Sequence, residues 1–273
     1  MSLLQAAILG CIQGVTEFLP ISSSAHLVLT SYVLGWEDQG LAFDIVAHLG
    51  TLLSLFVFFR QDLRQLVHGF FRPAPKDGEN RQRAELGWIL LAATLPVAAA
   101  GWLFEEQIAT SARWPALIAG TSIAFGVLLW WADLRLPHRH DLIDLGWRTG
   151  VLIGLAQVLA LVPGVSRSGI TLTAALALGF GRESSARFSF LLAVPLGVVV
   201  AVKQLTNLGG TPFSGNGYFL LLVGFAVSAI SSYLTIGWLL SWVRRKSLTP
   251  FAVYRIVLGI VILTLVATGA RSG

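Results

Sequence analysis

The sequence predicts an all-α polytopic membrane protein with six transmembrane helices and two re-entrant helical hairpins, arranged as an inverted-topology repeat. Of its 273 residues, 55% are hydrophobic and 12% are charged, whereas soluble domains carry roughly 25% charged residues. The apolar runs are long and continuous, as in membrane helices, and lack the alternation of membrane strands. Two further apolar stretches are interrupted at a proline, which is the pattern of broken membrane helices.

Six uninterrupted apolar segments are predicted to span the bilayer, because each approaches the roughly 20 residues that a membrane-spanning helix needs. We place them at Leu41–Phe59, Leu86–Phe104, Pro115–Ala132, Phe188–Gln204, Tyr218–Trp238 and Phe251–Ala267. The interrupted stretches cover residues 2–34 and 147–180. Each half of these stretches is too short to span comfortably, so we expect both to enter and leave the membrane on the same side.

The two interrupted stretches match each other and indicate an internal duplication. Ser22 follows Gln13 by nine residues, and Ser166 follows Gln157 by the same nine residues. Each stretch is then followed by three predicted spans. We therefore expect a single membrane domain of two repeats, about 1–136 and 141–273. Because three is an odd number, the second repeat must enter the membrane from the opposite side, which makes the repeat inverted.

The charges predict the orientation of the chain. The net charge is +5, and most cations fall into four segments that we interpret as cytoplasmic loops. These are Arg60, Arg64, Arg72, Lys76, Arg81 and Arg83; Arg135, Arg139 and Arg148; Arg182 and Arg187; and Arg244, Arg245 and Lys246. The remaining loops hold only Arg113, Lys203 and Arg271. Both termini are then expected outside. Topology and anionic lipids account for the basic balance, so no nucleic acid partner is expected.

Each proline elbow predicts an anion site. Pro20 and Pro163 cannot continue the preceding helix without losing a hydrogen bond, and serines that follow them are good N-caps for a new helix. The serines are Ser22, Ser23 and Ser24 in the first elbow, and Ser166 and Ser168 in the second. A helix that starts there presents backbone N–H groups and a positive dipole end, to which phosphate binds well. Arg167 adds a planar fork for phosphate oxygens.

The first elbow also carries reactive groups. Ser23 and His26 lie three residues apart, on one face of a helix, where a neutral imidazole could deprotonate the hydroxyl group. Gln13 and Glu17 lie four residues apart and could hold a divalent cation, with phosphate oxygens completing its shell. Alternatively, Glu17 orients His26 or carries protons. Since the hairpins enter from opposite faces, their tips can meet near the midplane and bring these groups up to Arg167.

Structural roles compete with these functional ones. Serine and threonine in membrane helices commonly serve packing, which is an alternative for Ser22, Ser24 and Ser168. Glu17 and Arg167 favour function, because charged groups at membrane depth are rare and costly. We interpret His48 as a packed or interfacial histidine. Cys11 is the only cysteine, which excludes an intramolecular disulfide and a cysteine metal site.

With both motifs identified, the sequence resembles the undecaprenyl-diphosphate phosphatase, or bacitracin-resistance, family. The resemblance runs from end to end, through Gln13-Gly-Val-Thr-Glu17-Phe-Leu-Pro-Ile-Ser-Ser-Ser-Ala-His26 and Pro163-Gly-Val-Ser-Arg-Ser-Gly-Ile-Thr171. It implies hydrolysis of a C55 prenyl diphosphate to its monophosphate, which recycles the lipid carrier for cell-wall synthesis and confers bacitracin resistance. It also implies the bacterial inner membrane, an active site open to the periplasm, and a divalent cation such as Mg or Ca. The expected partners are the lipid substrate, the bilayer and, in a homodimer, a second copy of the chain.

The resemblance also implies roles for individual residues. The family's acid-rich motif falls on Gln13 and Glu17, its hydroxyl and imidazole on Ser23 and His26, and its phosphate-binding serine, arginine and threonine on Ser166, Arg167 and Thr171. We therefore take Glu17, Ser23, His26 and Arg167 as catalytic, and we expect substrate binding by Gln13, Ser22, Ser24, Ser166, Ser168 and Thr171. The candidate metal ligands are Glu17 and Gln13, and glutamine at the first position leaves only one carboxylate in the motif. The Pro-Ser-Gly-His pattern of PAP2-type lipid phosphatases does not occur, so that family ranks lower.

Two mechanisms and two rival functions stay open from the sequence. Ser23, activated by His26, attacks the terminal phosphorus, or water attacks directly with His26 as its base. The main rival is a transporter or flippase for a phosphorylated lipid, since inverted repeats with broken helices are transporter architecture. A pure carrier needs phosphate binding but no nucleophile–base pair. A structural membrane subunit is the weaker rival, because it leaves the polar elbows unexplained.

Overall fold

The structure, a computed structural model, describes residues 1–37, 39–71, 79–104, 114–137, 139–208 and 215–268. Apart from one isolated bridge between His140 and Phe180, these residues form helices, turns and short connections. The helices are α1 (Leu3–Phe18), α2 (Ser23–Leu34), α3 (Leu41–Phe58), α4 (Arg60–Phe71), α5 (Glu79–Leu103), α6 (Pro115–Arg135), α7 (Trp147–Gln157), α8 (Arg167–Ala177), α9 (Arg182–Leu208), α10 (Gly215–Val243) and α11 (Thr249–Ala267). The predicted all-α class is confirmed.

Six helices in the described part are long and apolar enough to cross a bilayer, as predicted. Their spanning portions are Leu41–Phe58, Arg81–Leu103, Pro115–Arg135, Arg182–Thr206, Gly217–Val243 and Thr249–Ala267. The spanning portion that differs most from its prediction is that of α9, which begins at Arg182 instead of Phe188. Its first turn is polar because it is anchored by contacts rather than by lipid: Arg182 donates to Asp133 on α6.

The stretch after the first span was predicted as a loop, and this was wrong. Arg60 and Arg64 lie on α4, and Arg81 and Arg83 lie in the first turns of α5. Helix α4 buries Leu66 and turns Asp62 toward α9, where Arg187 Nη2 donates to its Oδ1 at 2.6 Å. A short amphipathic helix of this kind has too few apolar residues to stand out in a search for spans.

Of the cations used to predict the topology, Arg72, Lys76, Arg113 and Arg271 lie outside the described residues.

The two elbows have the same unusual backbone. Ser22 (φ 74°) and Ser166 (φ 69°) are the positive-φ residues other than glycine in the described chain. That conformation is uncommon for a residue with a side chain and is typically found at functional sites. In each elbow the serine contacts the hydroxyl two residues later at 3.2 Å. The duplication remains a prediction, and these parallels support it.

Helices of one predicted repeat pack mainly against helices of the other. Helix α1 packs against α10, α7 packs against α5, and α6 packs against α11. Small residues permit the close approach that membrane helices use. A Cβ atom on Gly14 of α1 would lie 2.6 Å from the carbonyl oxygen of Ser228, and one on Gly154 of α7 would lie 2.3 Å from that of Ala93. The short helices are therefore held by the long helices of the other half.

An aromatic cluster lies beside the end of α1. Phe18 is 1% exposed, and its ring meets Phe190 of α9 edge-on with 5.4 Å between centroids. Phe59, at the end of α3, lies 6.3 Å from the same ring. Because Phe18 follows Glu17 directly, burial of this ring fixes the last turn of α1 and the direction in which the carboxylate points.

Candidate active site

A cavity of about 570 Å³ lies where the two elbows meet. Its polar wall comes from both halves of the chain. The first half supplies Gln13, Glu17, Ser22, Ser23, Ser24, Gln39, Asp44 and His48, and the second supplies Ser166, Arg167 and Gln204. Leu27, Val162, Leu196 and Val200 form an apolar wall beside them. A pocket of this size, mainly apolar with a few convergent polar groups, is typical of small-molecule sites.

Glu17 is the centre of the polar wall. Its Oε1 accepts from Arg167 Nη2 at 2.8 Å, and its Oε2 accepts from Ser23 Oγ at 2.8 Å and from Gln13 Nε2 at 3.0 Å. The side chain of Glu17 is 8% exposed and that of Arg167 is 18% exposed. The structure thus brings the predicted residues of the two elbows into one ion pair, which offsets part of the cost of burying either charge.

Ser23 and His26 do not form the pair that their spacing predicted. The Ser23 hydroxyl donates to Glu17, because Ser23 is the first residue of α2 and lies beside the end of α1. His26 Nδ1 lies 2.7 Å from the carbonyl oxygen of Ser22, and Nε2 lies 2.7 Å from Tyr254 Oη on α11. The expectation that His26 directly activates Ser23 is therefore wrong for this arrangement, in which Glu17 is the hydrogen-bond acceptor in contact with the hydroxyl group.

The tautomer of His26 follows from its partners. A carbonyl oxygen only accepts hydrogen bonds, so Nδ1 must carry the proton and donate to Ser22. In the neutral ring Nε2 then accepts from the Tyr254 hydroxyl. The two rings stack with 5.6 Å between centroids. His26 consequently holds the strained backbone of the first elbow.

The hydroxyl groups of the second elbow divide into a cavity group and a packing group. Ser166 lines the cavity and caps α8, since its Oγ accepts from the Gly169 N–H at 3.2 Å. Ser168 donates to the carbonyl oxygen of Leu19 in the first elbow at 2.9 Å. Thr171 is 1% exposed and contacts Ser189 Oγ at 2.6 Å. We expected Ser168 and Thr171 to bind substrate, but the structure gives both hydroxyl groups protein partners.

The residues present do not fit a divalent cation held by the protein alone. Both oxygens of Glu17 already accept from protein donors, one of them a guanidinium that would repel a cation. Among the described residues no group of three or more His, Cys, Asp or Glu side chains is placed to hold a metal ion. Gln13 and Glu17 alone would leave most of the shell to phosphate oxygens.

Several polar side chains at or behind the site were not predicted, and Gln39, Asp44 and Gln204 of the cavity wall are among them. His48 Nδ1 lies 3.8 Å from Glu17 Oε1 and lines the cavity, although we expected a packed histidine. Tyr254 and Arg255 lie in the last predicted span. A signal for Arg255 was present in the sequence, because an arginine inside an apolar span is itself a candidate functional residue. No sequence pattern linked any of these residues to the elbows.

Fold and site together define a class: a polytopic membrane protein in which two broken helices build a polar site beside an apolar wall. The chain belongs to the family described as bacitracin resistance protein BacA, whose model matches residues 6–261.

Similar proteins carry a more specific name. The undecaprenyl-diphosphatase of Magnetococcus marinus is 49% identical over 265 residues, which cover 96% of this chain and 98% of that protein. The undecaprenyl-diphosphatase of Teredinibacter turnerae is 44% identical over 262 residues, with 96% and 98% covered.

Proposed function

We propose that this chain hydrolyses undecaprenyl diphosphate to undecaprenyl phosphate and inorganic phosphate, which recycles the lipid carrier for cell-wall synthesis and confers bacitracin resistance. Family membership and relatives named undecaprenyl-diphosphatase at 44% and 49% identity support this activity. The observation that carries it is the contact of Glu17 with both Ser23 and Arg167, which joins a hydroxyl, a proton acceptor and a phosphate-binding fork in one cavity.

The substrate fits the two walls of the cavity. The diphosphate lies at the polar wall, where the start of α8 and the guanidinium of Arg167 favour negative charge. The prenyl chain follows the apolar wall of Leu27, Val162, Leu196 and Val200 toward the lipid. This arrangement keeps the isoprenoid in the membrane and presents only the headgroup to the reactive residues.

The Ser23 hydroxyl then attacks the terminal phosphorus and transfers its proton to Glu17 Oε2. The bond between this phosphorus and the bridging oxygen breaks, and undecaprenyl phosphate leaves. Arg167 and the backbone N–H groups stabilise the charge on the three equatorial oxygens. Water then hydrolyses the phosphoserine and releases inorganic phosphate. In the alternative, water attacks the substrate directly; a trapped phosphoserine distinguishes the two routes.

Substrate binding also changes the ion pair. When phosphate oxygens take over the fork of Arg167, the guanidinium stabilises the Glu17 carboxylate less. Glu17 then becomes a better proton acceptor at the moment the substrate is in place. In the free enzyme, the charges of Glu17 and Arg167 thus compensate each other. In the complex, Arg167 binds the phosphate oxygens and Glu17 accepts the proton of Ser23.

A divalent cation such as Mg or Ca is part of the proposal only as a companion of the substrate. The diphosphate would bring most of the ligand oxygens, with Gln13 and Glu17 as candidate protein ligands, and no step above depends on the ion. We further propose that the protein lies in the bacterial inner membrane with its cavity open to the periplasm. Reporter fusions that place either terminus in the cytoplasm would contradict this topology.

Phosphate release tests the function directly. The purified full chain, given undecaprenyl diphosphate in detergent, is expected to release one phosphate per lipid and to leave the monophosphate. A parallel reaction with excess EDTA tests the cation, and lost activity that returns on adding Mg or Ca would support it. If no phosphate is released with any divalent cation, the phosphatase proposal fails. Movement of labelled intact lipid between leaflets would then favour the flippase.

His26 can be tested as a positioning group with a near-isosteric variant. Asparagine places an amide N–H close to the position of Nδ1–H, so it can still donate to the Ser22 carbonyl, but it cannot accept a proton. We expect His26→Asn to keep kcat within about ten-fold of the wild type, the worth of one hydrogen bond, and His26→Ala to lose more. Equal and near-complete loss in both variants would restore His26 as the base.

A further inference from the structure

Arg255 is a buried charge that the mechanism does not use. It lies on α11, is 0% exposed and has the largest fully buried side chain of the described chain. Among the described residues, no ion pair joins it to a carboxylate. An arginine at membrane depth without a carboxylate partner is costly unless other acceptors compensate it.

Its acceptors are backbone carbonyl oxygens from both elbows. Nη2 donates to Gly164 at 2.9 Å and to Val165 at 2.7 Å, and Nη1 donates to Pro20 at 3.4 Å. Carbonyl groups at a broken helix lack the partners that a continuous helix supplies, and lipid offers none. One planar guanidinium therefore satisfies three such groups and links the two elbows. These elbows are 144 residues apart in the chain, counted between the matching positions Gln13 and Gln157.

The guanidinium also lies directly behind the start of α8. A Cβ atom on Gly169 would be 2.6 Å from Arg255 Nη1, so a side chain at this position would displace the guanidinium. Gly169 is in the first turn of α8, two residues after Arg167. The position of this first turn, and hence of Arg167 relative to Glu17, depends on where Arg255 holds Gly164 and Val165.

We propose that Arg255 is a positioning residue, which clamps the two elbows together and thereby sets Arg167 against Glu17 and the substrate phosphate. It does not touch the substrate. A guanidinium suits this role because its fixed fork reaches several carbonyl groups in one plane, whereas an ammonium is a single flexible point charge. The inference rests on the proposed phosphatase function, so wild-type phosphate release is measured beside every variant.

The test compares Arg255→Lys and Arg255→Gln in the purified full chain, with activity expressed per folded protein from thermal unfolding. We expect kcat/KM for undecaprenyl diphosphate to fall about ten-fold with lysine and about 100-fold with glutamine, as hydrogen bonds from a charged group are lost. Arg182→Lys is the control, because the Arg182 guanidinium also joins two distant segments of the chain, through Asp133 on α6, but lies away from the elbows. It should lower the unfolding temperature but leave kcat/KM within about two-fold.

A double mutant separates positioning from general stability. If Arg255 acts through Arg167, the loss caused by Arg255→Lys should largely disappear in an Arg167→Lys background. Fully multiplicative losses, or wild-type kcat/KM in folded Arg255→Gln, would overturn the proposal. If the glutamine variant does not fold, Arg255→Lys decides by the same comparison. An inactive wild type would contradict the phosphatase function itself.

Discussion

Replacing Arg167 with lysine is expected to lower kcat/KM at least about 100-fold, because an ammonium cannot hold phosphate oxygens bidentately or stabilise the developing charge in the same geometry. The variant also weakens the 2.8 Å contact with Glu17 Oε1, so in the free enzyme the guanidinium no longer compensates the negative charge of the carboxylate. Steady-state phosphate release with undecaprenyl diphosphate measures the effect, with thermal unfolding to confirm a folded protein.

Arg187→Lys is the control for this substitution. Arg187 also donates to a carboxylate, Asp62, at 2.6 Å, but it joins α9 to α4 outside the cavity. We expect activity within about two-fold of the wild type, since this partly exposed ion pair lies outside the cavity and pairs in contact with solvent contribute little. Near-normal turnover of Arg167→Lys would remove Arg167 from the phosphate site and leave only a structural pair with Glu17.

Glu17→Gln is expected to lower kcat about 100- to 10,000-fold, the range for loss of a general base. Glutamine keeps the shape of the side chain and one oxygen that can accept from Ser23 or Arg167, but it cannot take up the serine proton. Substrate affinity should change less than kcat, because phosphate contacts come mainly from Arg167 and the backbone. Single-turnover kinetics with separate binding measurements distinguish the two effects.

The matched control is Glu183→Gln, since Glu183 accepts from Arg244 in an exposed pair. Glu183 lies in the first turn of α9, away from the part of this helix that lines the cavity. This variant should behave like the wild type. A Glu17→Gln variant that turns over normally would mean that another group accepts the proton. His48, 3.8 Å from the carboxylate, would then be the next group to test.

The elements that the sequence predicted well are those whose signal is local. Six spans appear as long apolar runs because lipid demands a continuous helix. Both elbows appear because proline and clustered serines interrupt such runs. Helix α4 was missed, since a short helix with a half-polar composition resembles a loop. The contact of Glu17 with Arg167 was predicted only as a consequence of opposed hairpins.

Side-chain partners were harder to predict than backbone breaks. The spacing of Ser23 and His26 placed them on one face of α2, yet Ser23 pairs with the preceding helix and His26 pairs with α11. Ser168 and Thr171 belong to the same motif as Arg167, but burial turned their hydroxyl groups toward protein acceptors. Which neighbour a polar group meets depends on helices distant in the chain.

The sequence by itself determined the membrane class, the number of spans and the location of the reactive motifs, because hydrophobicity and proline act on each segment independently of the rest. Only the tertiary structure decided the division of labour within the site. Packing of α1 and α2 against helices of the other half places Ser23 in hydrogen-bond contact with Glu17 and His26 in contact with the Ser22 carbonyl group. The same packing places Arg255 between the elbows. In the interior of a bilayer there is little water to bind a polar group, so the partner of Ser23, of His26 and of Arg255 is chosen by the fold.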